Sequence, residues 1–142
     1  MNSYPSGELK RRASPMADVV LDSSAVLARV WREPGFERVQ AVIAGALISS
    51  VNVAEVIQKL SERGADEATA RSVLNSLPCR PEPLDVEAAI RVGLLRTATR
   101  QAGLSLGDRA CLELGMRLGL PIYTADRAWA ELDLGVEVVL IR

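Results

Sequence analysis

Short apolar runs alternate along this chain with longer segments of helical periodicity. The runs occupy residues 19–21, 46–48, 121–124 and 136–141, and helical segments fill the intervals between them. Parallel strands need a crossover of a dozen or more residues, usually a helix, to connect them. The alternation therefore predicts an α/β fold in which helices cover both faces of a parallel sheet.

The same periodicity predicts the bounds of the helices. They are expected over residues 23–32, 36–44, 50–63, 66–77, 85–102, 105–118 and, as a short last helix, 127–132. The segment 80–84 contains two prolines, so it is expected to be an edge strand or a loop.

Length and composition predict one domain with a core of its own. The chain has 142 residues, of which 49% are hydrophobic and 25% charged, as in ordinary globular proteins. No apolar run reaches the roughly 18 residues of a membrane-spanning helix, so we expect no contact with a membrane. Because the formal net charge is −1, nucleic acid would have to be attracted by local arginines and by metal ions.

Residues 1–15 differ from the rest of the chain. They show no hydrophobic periodicity and contain two prolines and a Lys-Arg-Arg run. We expect a flexible tail here, followed by one folded domain over residues 16–142. Two alternatives remain open, namely that Met16 is the natural start and that the basic run is an arm that contacts RNA.

The chain contains no histidine, which excludes several reaction mechanisms. Ser-His-Asp and Cys-His nucleophile systems, two-histidine ribonucleases and histidine metal sites are all ruled out. Cys79 and Cys111 lie far apart and form no Cys-x-x-Cys pair, so we expect free thiols in a reducing cytoplasm rather than a zinc site. Any hydrolysis must therefore use carboxylates and a metal ion.

Four carboxylates stand at strand ends or near helix starts: Asp22, Glu55, Asp108 and Asp126. In open α/β sheets, ligands bind outside the carboxyl ends of the strands. Four acids gathered there would raise one another's pKa unless a cation neutralised them. The pattern predicts a hard, oxygen-liganded cation such as Mg²⁺ or Mn²⁺ and chemistry on phosphate.

Each acid also has a purely structural interpretation. These are a helix cap for Asp22, a helix cap or an Asx turn for Asp126, a capping box with Ser105 for Asp108, and an i,i+4 ion pair with Lys59 for Glu55. Three independent caps and an ion pair need not converge on one place, whereas the ligands of a metal must.

Four segments resemble the PIN-domain ribonucleases, and in particular the VapC-type toxins of bacterial toxin–antitoxin pairs. They are VLDSSA, SSVNVAEV, LSLGDRACL and YTADRAW, and each contains one of the four acids. The resemblance extends over residues 16–142. It implies a three-layer α/β/α domain with a parallel sheet of about five strands, commonly found as a homodimer.

The resemblance also implies a function. Such proteins are Mg²⁺- or Mn²⁺-dependent endoribonucleases that cut structured RNA, often tRNA or ribosomal RNA, and are inhibited by a cognate antitoxin that lies over the acidic pocket. Asp22 and Asp108 would be the main metal ligands, while Glu55 and Asp126 would complete the shell or act through water. Further residues near the acids have supporting roles: Ser24, Asn52 and Thr124 as orienting partners, and Arg109 and Arg127 as phosphate contacts or simply as exposed arginines at helix starts.

Two other functions fit the sequence less completely. One is a catalytically silent PIN-like module that binds RNA or protein, although such a module has little use for four clustered acids. The other is a nuclease that cuts DNA, because metal-assisted hydrolysis does not by itself select the sugar.

Overall fold

A parallel sheet of five strands forms the centre of the computed structural model, which describes residues 17–142. The predicted tail over residues 1–15 and the alternative start at Met16 lie outside these residues. The strand order is β3-β2-β1-β4-β5, and every neighbouring pair is parallel. The strands are β1 (Val19–Leu21), β2 (Ala46–Ser49), β3 (Arg80–Glu82), β4 (Ile122–Thr124) and β5 (Val138–Leu140).

Six α-helices connect the strands of the described part of the chain. They are α1 (Ser23–Trp31), α2 (Phe36–Val42), α3 (Ser50–Glu62), α4 (Glu67–Ser76), α5 (Val86–Ala98) and α6 (Leu106–Leu118). Three short 3₁₀ turns accompany them, at Ile43–Gly45, Arg100–Ala102 and Arg127–Glu131.

The helix predicted over residues 85–102 is shorter than expected. It ends as an α-helix at Ala98, and a 3₁₀ turn follows it. The hydroxyl of Thr99 donates to the carbonyl of Leu95 at 2.7 Å, and a β-branched residue that bonds back to the chain weakens helix propagation. The helices predicted over residues 36–44 and 127–132 were likewise wrong in part, because the former ends in a 3₁₀ turn and the latter is one throughout.

The two faces of the sheet carry separate apolar cores, as the alternation of side chains along a strand requires. Val19 and Leu21 face a core shared with helices α1 to α4. Val20, between them, faces a second core that contains Leu112 of α6 and the fully buried Trp129. The predicted three-layer α/β/α architecture is confirmed.

The proline-rich segment forms an edge strand, which is one of the two predicted outcomes. Strand β3 pairs only with β2, and Pro81 lies opposite Ile48. Proline is tolerated there because one side of an edge strand needs no ladder donor. Cys79, just before β3, and Cys111 in α6 are buried free thiols. Within residues 17–142, no helix has both the length and the apolarity needed to cross a membrane.

Candidate metal centre

Asp22 directly follows β1, the central strand of the sheet, and its carboxylate is buried. The side chain is 3% exposed. Although Asp22 is the N-cap residue of α1, its side chain makes no capping hydrogen bond, so the capping interpretation is wrong for this acid. Its Oδ2 instead accepts from the hydroxyls of Ser24 at 2.6 Å and Thr124 at 2.9 Å.

Both hydroxyls are fixed by backbone groups, and this directs their protons at Asp22. The Ser24 oxygen accepts from the N–H of Ala125 at 2.9 Å, and the Thr124 oxygen accepts from the N–H of Asp126 at 3.0 Å. Each hydroxyl therefore has its own proton left to donate to the Asp22 carboxylate. The start of α1 and the end of β4 are thereby connected through one carboxylate oxygen.

The second oxygen of Asp22 has a different environment. Oδ1 is buried and has no hydrogen-bond partner among the described residues. Burial raises the pKa of Asp22 to about 6, although the Ser24 and Thr124 hydroxyls lower it, and the charges of Asp108 and Glu55 raise it further. A cation at Oδ1 would favour the ionised carboxylate.

Glu55 is held on the α3 side of the same edge. Its Oε1 accepts from the Ser23 hydroxyl at 2.8 Å and from the side-chain amide of Asn52 at 2.9 Å. Asn52 also donates to the carbonyl of Gly107 at 3.1 Å, which connects α3 to the first turn of α6. The alternative ion pair with Lys59 is not formed, because Lys59 lies beside Glu62 at 3.7 Å instead.

Asp108 and Asp126 both have the helix-start contacts that their structural interpretations predicted. Asp108 accepts from the N–H of Ser105 at 2.9 Å, and the Ser105 hydroxyl accepts from the N–H of Asp108 at 3.1 Å, which completes a capping box. Asp126 accepts from the N–H of Ala128 at 3.0 Å. The N–H groups of Ser105 and Ala128 thus occupy one carboxylate oxygen of each acid, Oδ2 of Asp108 and Oδ1 of Asp126.

The four acids lie at one edge of the sheet, and their charges act on one another's pKa values. Burial raises the pKa of Asp108, the hydrogen bonds with Ser105 lower it, and the charges of Glu55 and Asp126 raise it. In residues 17–142, however, no three acidic or cysteine side chains lie close enough to hold one ion together. An ion at this edge would therefore keep several water ligands, as Mg²⁺ usually does in proteins.

Two buried side-chain oxygens indicate whether the site suits such an ion. Oδ1 of Asp22 and Oδ1 of Asn52 are both buried acceptors without a donor among the described residues. An unmatched buried acceptor costs about 1–3 kcal/mol. A carboxylate oxygen and an amide oxygen are ligands that Mg²⁺ and Mn²⁺ accept, so the donor set fits a hard divalent cation.

Comparison with known proteins agrees with this geometry. A family model described as the PIN domain matches residues 19–134. The chain belongs to the PIN-domain family. This confirms the resemblance seen in the sequence. Among curated proteins, no match to the sequence was found.

Solved structures similar to this PIN domain include several VapBC toxin–antitoxin proteins. The DNA-bound VapBC of Salmonella typhimurium is 21% identical, with 89% of this chain and 99% of that chain covered and a TM-score of 0.70. VapC20 of Mycobacterium tuberculosis, described as a sarcin-ricin loop cleaving toxin, is 18% identical over 84% of this chain and 99% of that one, with a TM-score of 0.65. VapBC-5 of Mycobacterium tuberculosis is 23% identical over 89% and 98% of the two chains, with a TM-score of 0.56.

The two arginines beside the acids of this PIN domain are held by backbone carbonyls. Arg109 is half-buried and donates to the carbonyl of Val92 in α5 at 2.9 Å. Arg127 is exposed and donates to the carbonyl of Arg142 at 2.9 Å. These contacts give both side chains a structural role, and their contact with phosphate stays a prediction.

Two site residues were missed by the sequence analysis. Ser23 fixes Glu55, and Gly107 makes room for it, because a Cβ at Gly107 would overlap the Glu55 carboxylate. A signal for Gly107 was present in the sequence, since glycine in the first turn of a helix is unfavourable without a packing reason. Ser23 had no such signal, because a serine at a helix start is common.

Proposed function

We propose that this PIN domain is the toxin component of a toxin–antitoxin system and acts as a divalent-metal-dependent endoribonuclease. One observation carries the proposal. Asp22 is buried at the carboxyl end of the central strand with a raised pKa, no capping role and one unmatched oxygen, and the charges of Asp108 and Glu55 act on it. The structural similarity to VapBC proteins and to VapC20, described as a sarcin-ricin loop cleaving toxin, supports the same conclusion.

The residues of the site divide the chemistry between them. Asp22 and Asp108 are proposed as the main ligands of Mg²⁺ or Mn²⁺, with Glu55 and Asp126 acting through water ligands. Such an ion supplies Lewis-acid polarisation of a phosphoryl oxygen and lowers the pKa of a bound water. Oε2 of Glu55 makes none of the observed side-chain hydrogen bonds of that residue, so it is the atom we expect to accept a proton from the attacking water.

The remaining polar residues hold these acids in place. Ser24 and Thr124 fix one oxygen of Asp22 and leave the other free for a ligand. Asn52 fixes Glu55 through its amide nitrogen and leaves its own oxygen unmatched. A site built on strand ends and helix starts in this way is preorganised, because the supporting residues are themselves anchored by backbone groups.

The proposed partners are a cognate antitoxin, an RNA substrate and a second copy of the chain. Helix α5 supports the last of these. It buries Ala88 and Val92 against the domain but exposes an apolar stripe on its outer side, where Val86, Ile90 and Leu94 are 74%, 51% and 70% exposed. A helix that is apolar on both sides is normally covered on both.

The proposed activity is tested by cleavage of purified total tRNA and ribosomal RNA. The protein is first separated from any copurifying antitoxin and then assayed with Mg²⁺, with Mn²⁺ and with EDTA. We expect discrete RNA fragments with either metal, and loss of cleavage with EDTA, with Asp22→Asn and with Asp108→Asn. Single-stranded DNA of similar length is assayed in parallel, and preferential cleavage of DNA would contradict the assignment of RNA as substrate.

Two further outcomes would overturn parts of the proposal. Wild-type cleavage by Asp108→Asn would show that the metal-ligand assignment is wrong. Absence of cleavage by a folded protein that binds metal would favour the silent binding module. Thermal unfolding in EDTA accompanies each variant, and we expect Asp108→Asn to be as stable as the wild type or more stable, because asparagine keeps an acceptor for Ser105 and relieves repulsion between acids.

A further inference from the structure

A pocket of about 330 Å³ lies between α1 and α3 and begins at Ser24, whose hydroxyl donates to Asp22. We call it the α1–α3 pocket. The residues that α1 contributes to the pocket are three and four positions apart, so they lie on one face of that helix. The lining residues are Ser24, Leu27 and Trp31 of α1, Lys59, Glu62 and Arg63 at the end of α3, and Glu33 and Arg142 at the rim.

The pocket reaches from the acidic edge to an aromatic ring. Ser24, at one end, donates to the Asp22 carboxylate at 2.6 Å. Trp31, at the other end, lies seven residues further along α1, which is about 10 Å at the rise of an α-helix. A strand whose reacting phosphate lies at Asp22 would therefore have a neighbouring nucleotide within reach of this pocket.

Arg63 is the cation of the pocket that has no acidic partner. Its guanidinium carbon lies 3.6 Å from the centroid of the Trp31 ring, and the side chain is exposed. No carboxylate in residues 17–142 forms an ion pair with it. The two other cations each lie 3.7 Å from an acid, Lys59 beside Glu62 and Arg142 beside Glu33.

The contact with Trp31 restricts the orientation of this guanidinium. A guanidinium placed over an indole ring gains cation–π stabilisation and is held against it. Its edge then presents N–H donors that suit phosphate oxygens, and its outer face is a platform on which a base can stack. Positive charge next to a stacking surface is the usual combination for binding single-stranded nucleic acid.

We propose that the α1–α3 pocket binds a nucleotide of single-stranded RNA next to the scissile bond. Arg63 donates to a phosphate oxygen, and the Arg63–Trp31 pair carries the base. The inference rests on the proposed function, because it places the reacting phosphate of the strand at Asp22. It makes Arg63 and Trp31 substrate-positioning residues rather than catalytic ones.

Tryptophan fluorescence reports directly on this pocket. The chain has two tryptophans, and Trp129 is fully buried, so a bound oligonucleotide would change the emission of Trp31 alone. Full-length Asp22→Asn protein, which is expected not to cleave, is titrated with oligouridylate and oligoadenylate of roughly eight nucleotides. We expect saturable quenching that disappears when Trp31→Phe is added.

A pair of arginine variants tests the role of Arg63. We expect Arg63→Gln to raise the Kd for the oligonucleotide about tenfold or more. Arg71→Gln is the matched control, because Arg71 is an exposed arginine of α4 that pairs with Glu67 outside the pocket. An equal loss of affinity in both variants would overturn the proposal, since it would show an effect of net charge alone. In the cleaving protein, Arg63→Gln should raise KM for RNA more than it lowers kcat.

The outcomes separate this inference from the proposed function. RNA cleavage by the wild type without any Trp31 response would contradict the pocket alone. Trp31 quenching by RNA without cleavage would support the pocket and contradict the nuclease. Quenching of Trp31 by an oligoglutamate peptide but not by RNA would overturn the inference. It would identify the pocket as a binding site for an acidic protein segment.

Discussion

Asp22 has the most restrictive surroundings of the four acids. Its carboxylate is buried, two fixed hydroxyls hold one oxygen, and the other oxygen has no partner in the described part of the chain. A buried ionised carboxylate is stable only when it is well paired. The residue therefore stores an unfavourable interaction in the metal-free protein that a bound cation would relieve.

The raised pKa of Asp22 predicts how stability depends on pH in the absence of metal. The folded-state pKa is about 6, above the ordinary value of 3.8, so the folded protein binds a proton that the unfolded chain releases. Protonation of Asp22 therefore stabilises the folded state. This stabilisation is complete below about pH 4 and is lost as pH rises to about 6. We expect this group to lower the free energy of unfolding by about 2–3 kcal/mol across that range.

Urea unfolding at pH 4.5 and pH 7.5 in EDTA measures this effect. Asp22→Asn removes the titrating group, so its change in stability between the two pH values should be less unfavourable than that of the wild type by about the same amount. If the wild type and Asp22→Asn respond identically to pH, Asp22 is not the buried acid described here.

Gly107 shows how α3 and α6 position the site together. The glycine lies in the first turn of α6, its carbonyl accepts from Asn52, and Glu55 occupies the space where a side chain would be. The acid on one helix therefore depends on the absence of a side chain on another.

We expect Gly107→Ala to displace the Glu55 carboxylate from Ser23 and Asn52 without unfolding the domain. The clash involves the end of a flexible side chain rather than backbone. Cleavage should fall about 100-fold, a typical loss for a misplaced catalytic group. Kinetics with RNA and thermal unfolding measure the two effects separately.

Gly93→Ala provides the control. Gly93 is also helical, in α5, and a Cβ there would meet nothing within 4 Å. It should stabilise the protein by up to about 1 kcal/mol and leave cleavage unchanged. Full activity in Gly107→Ala would contradict the role given to Glu55.

Elements with regular periodicity could be predicted from the sequence, and irregular ones could not. The apolar runs predicted four of the five strands, β1, β2, β4 and β5, because strands that contact a core on each face are apolar on both. The end of α5 was missed because it depends on a side-chain hydrogen bond of Thr99. Glu113 was also unpredictable, because a buried acid in an apolar stretch of α6 is explained only by Arg91 and Arg117, which pair with it at 2.9 and 2.8 Å.

The site is assembled from distant parts of the chain. Thr124 and Asp22 are 102 positions apart, yet they share a hydrogen bond. The sequence could place both at the carboxyl edge of a parallel sheet, because strand ends meet there. It could not give the distances between the acids, since these depend on how α1, α3 and α6 pack on the sheet.

The exposed stripe of α5 predicts the oligomeric state. If a second copy covers it, Ile90→Glu should convert a dimer into a monomer that still folds, because Ile90 is exposed in the single chain and outside its core. Leu118→Glu is the control, since Leu118 is an exposed apolar residue at the end of α6, outside the stripe. Light scattering at several protein concentrations gives the mass, and a wild-type monomer throughout would contradict the proposed dimer.

The most direct test of the account is calorimetric titration of the antitoxin-free protein with Mn²⁺ at pH 7.5, where Asp22 is mostly ionised. We expect saturable binding by the wild type that weakens at least tenfold in Asp22→Asn. Gly93→Ala, which alters no proposed ligand, should bind like the wild type. Equal binding of Mn²⁺ by the wild type and by Asp22→Asn would contradict the claim that this edge of the sheet is a metal centre built around Asp22.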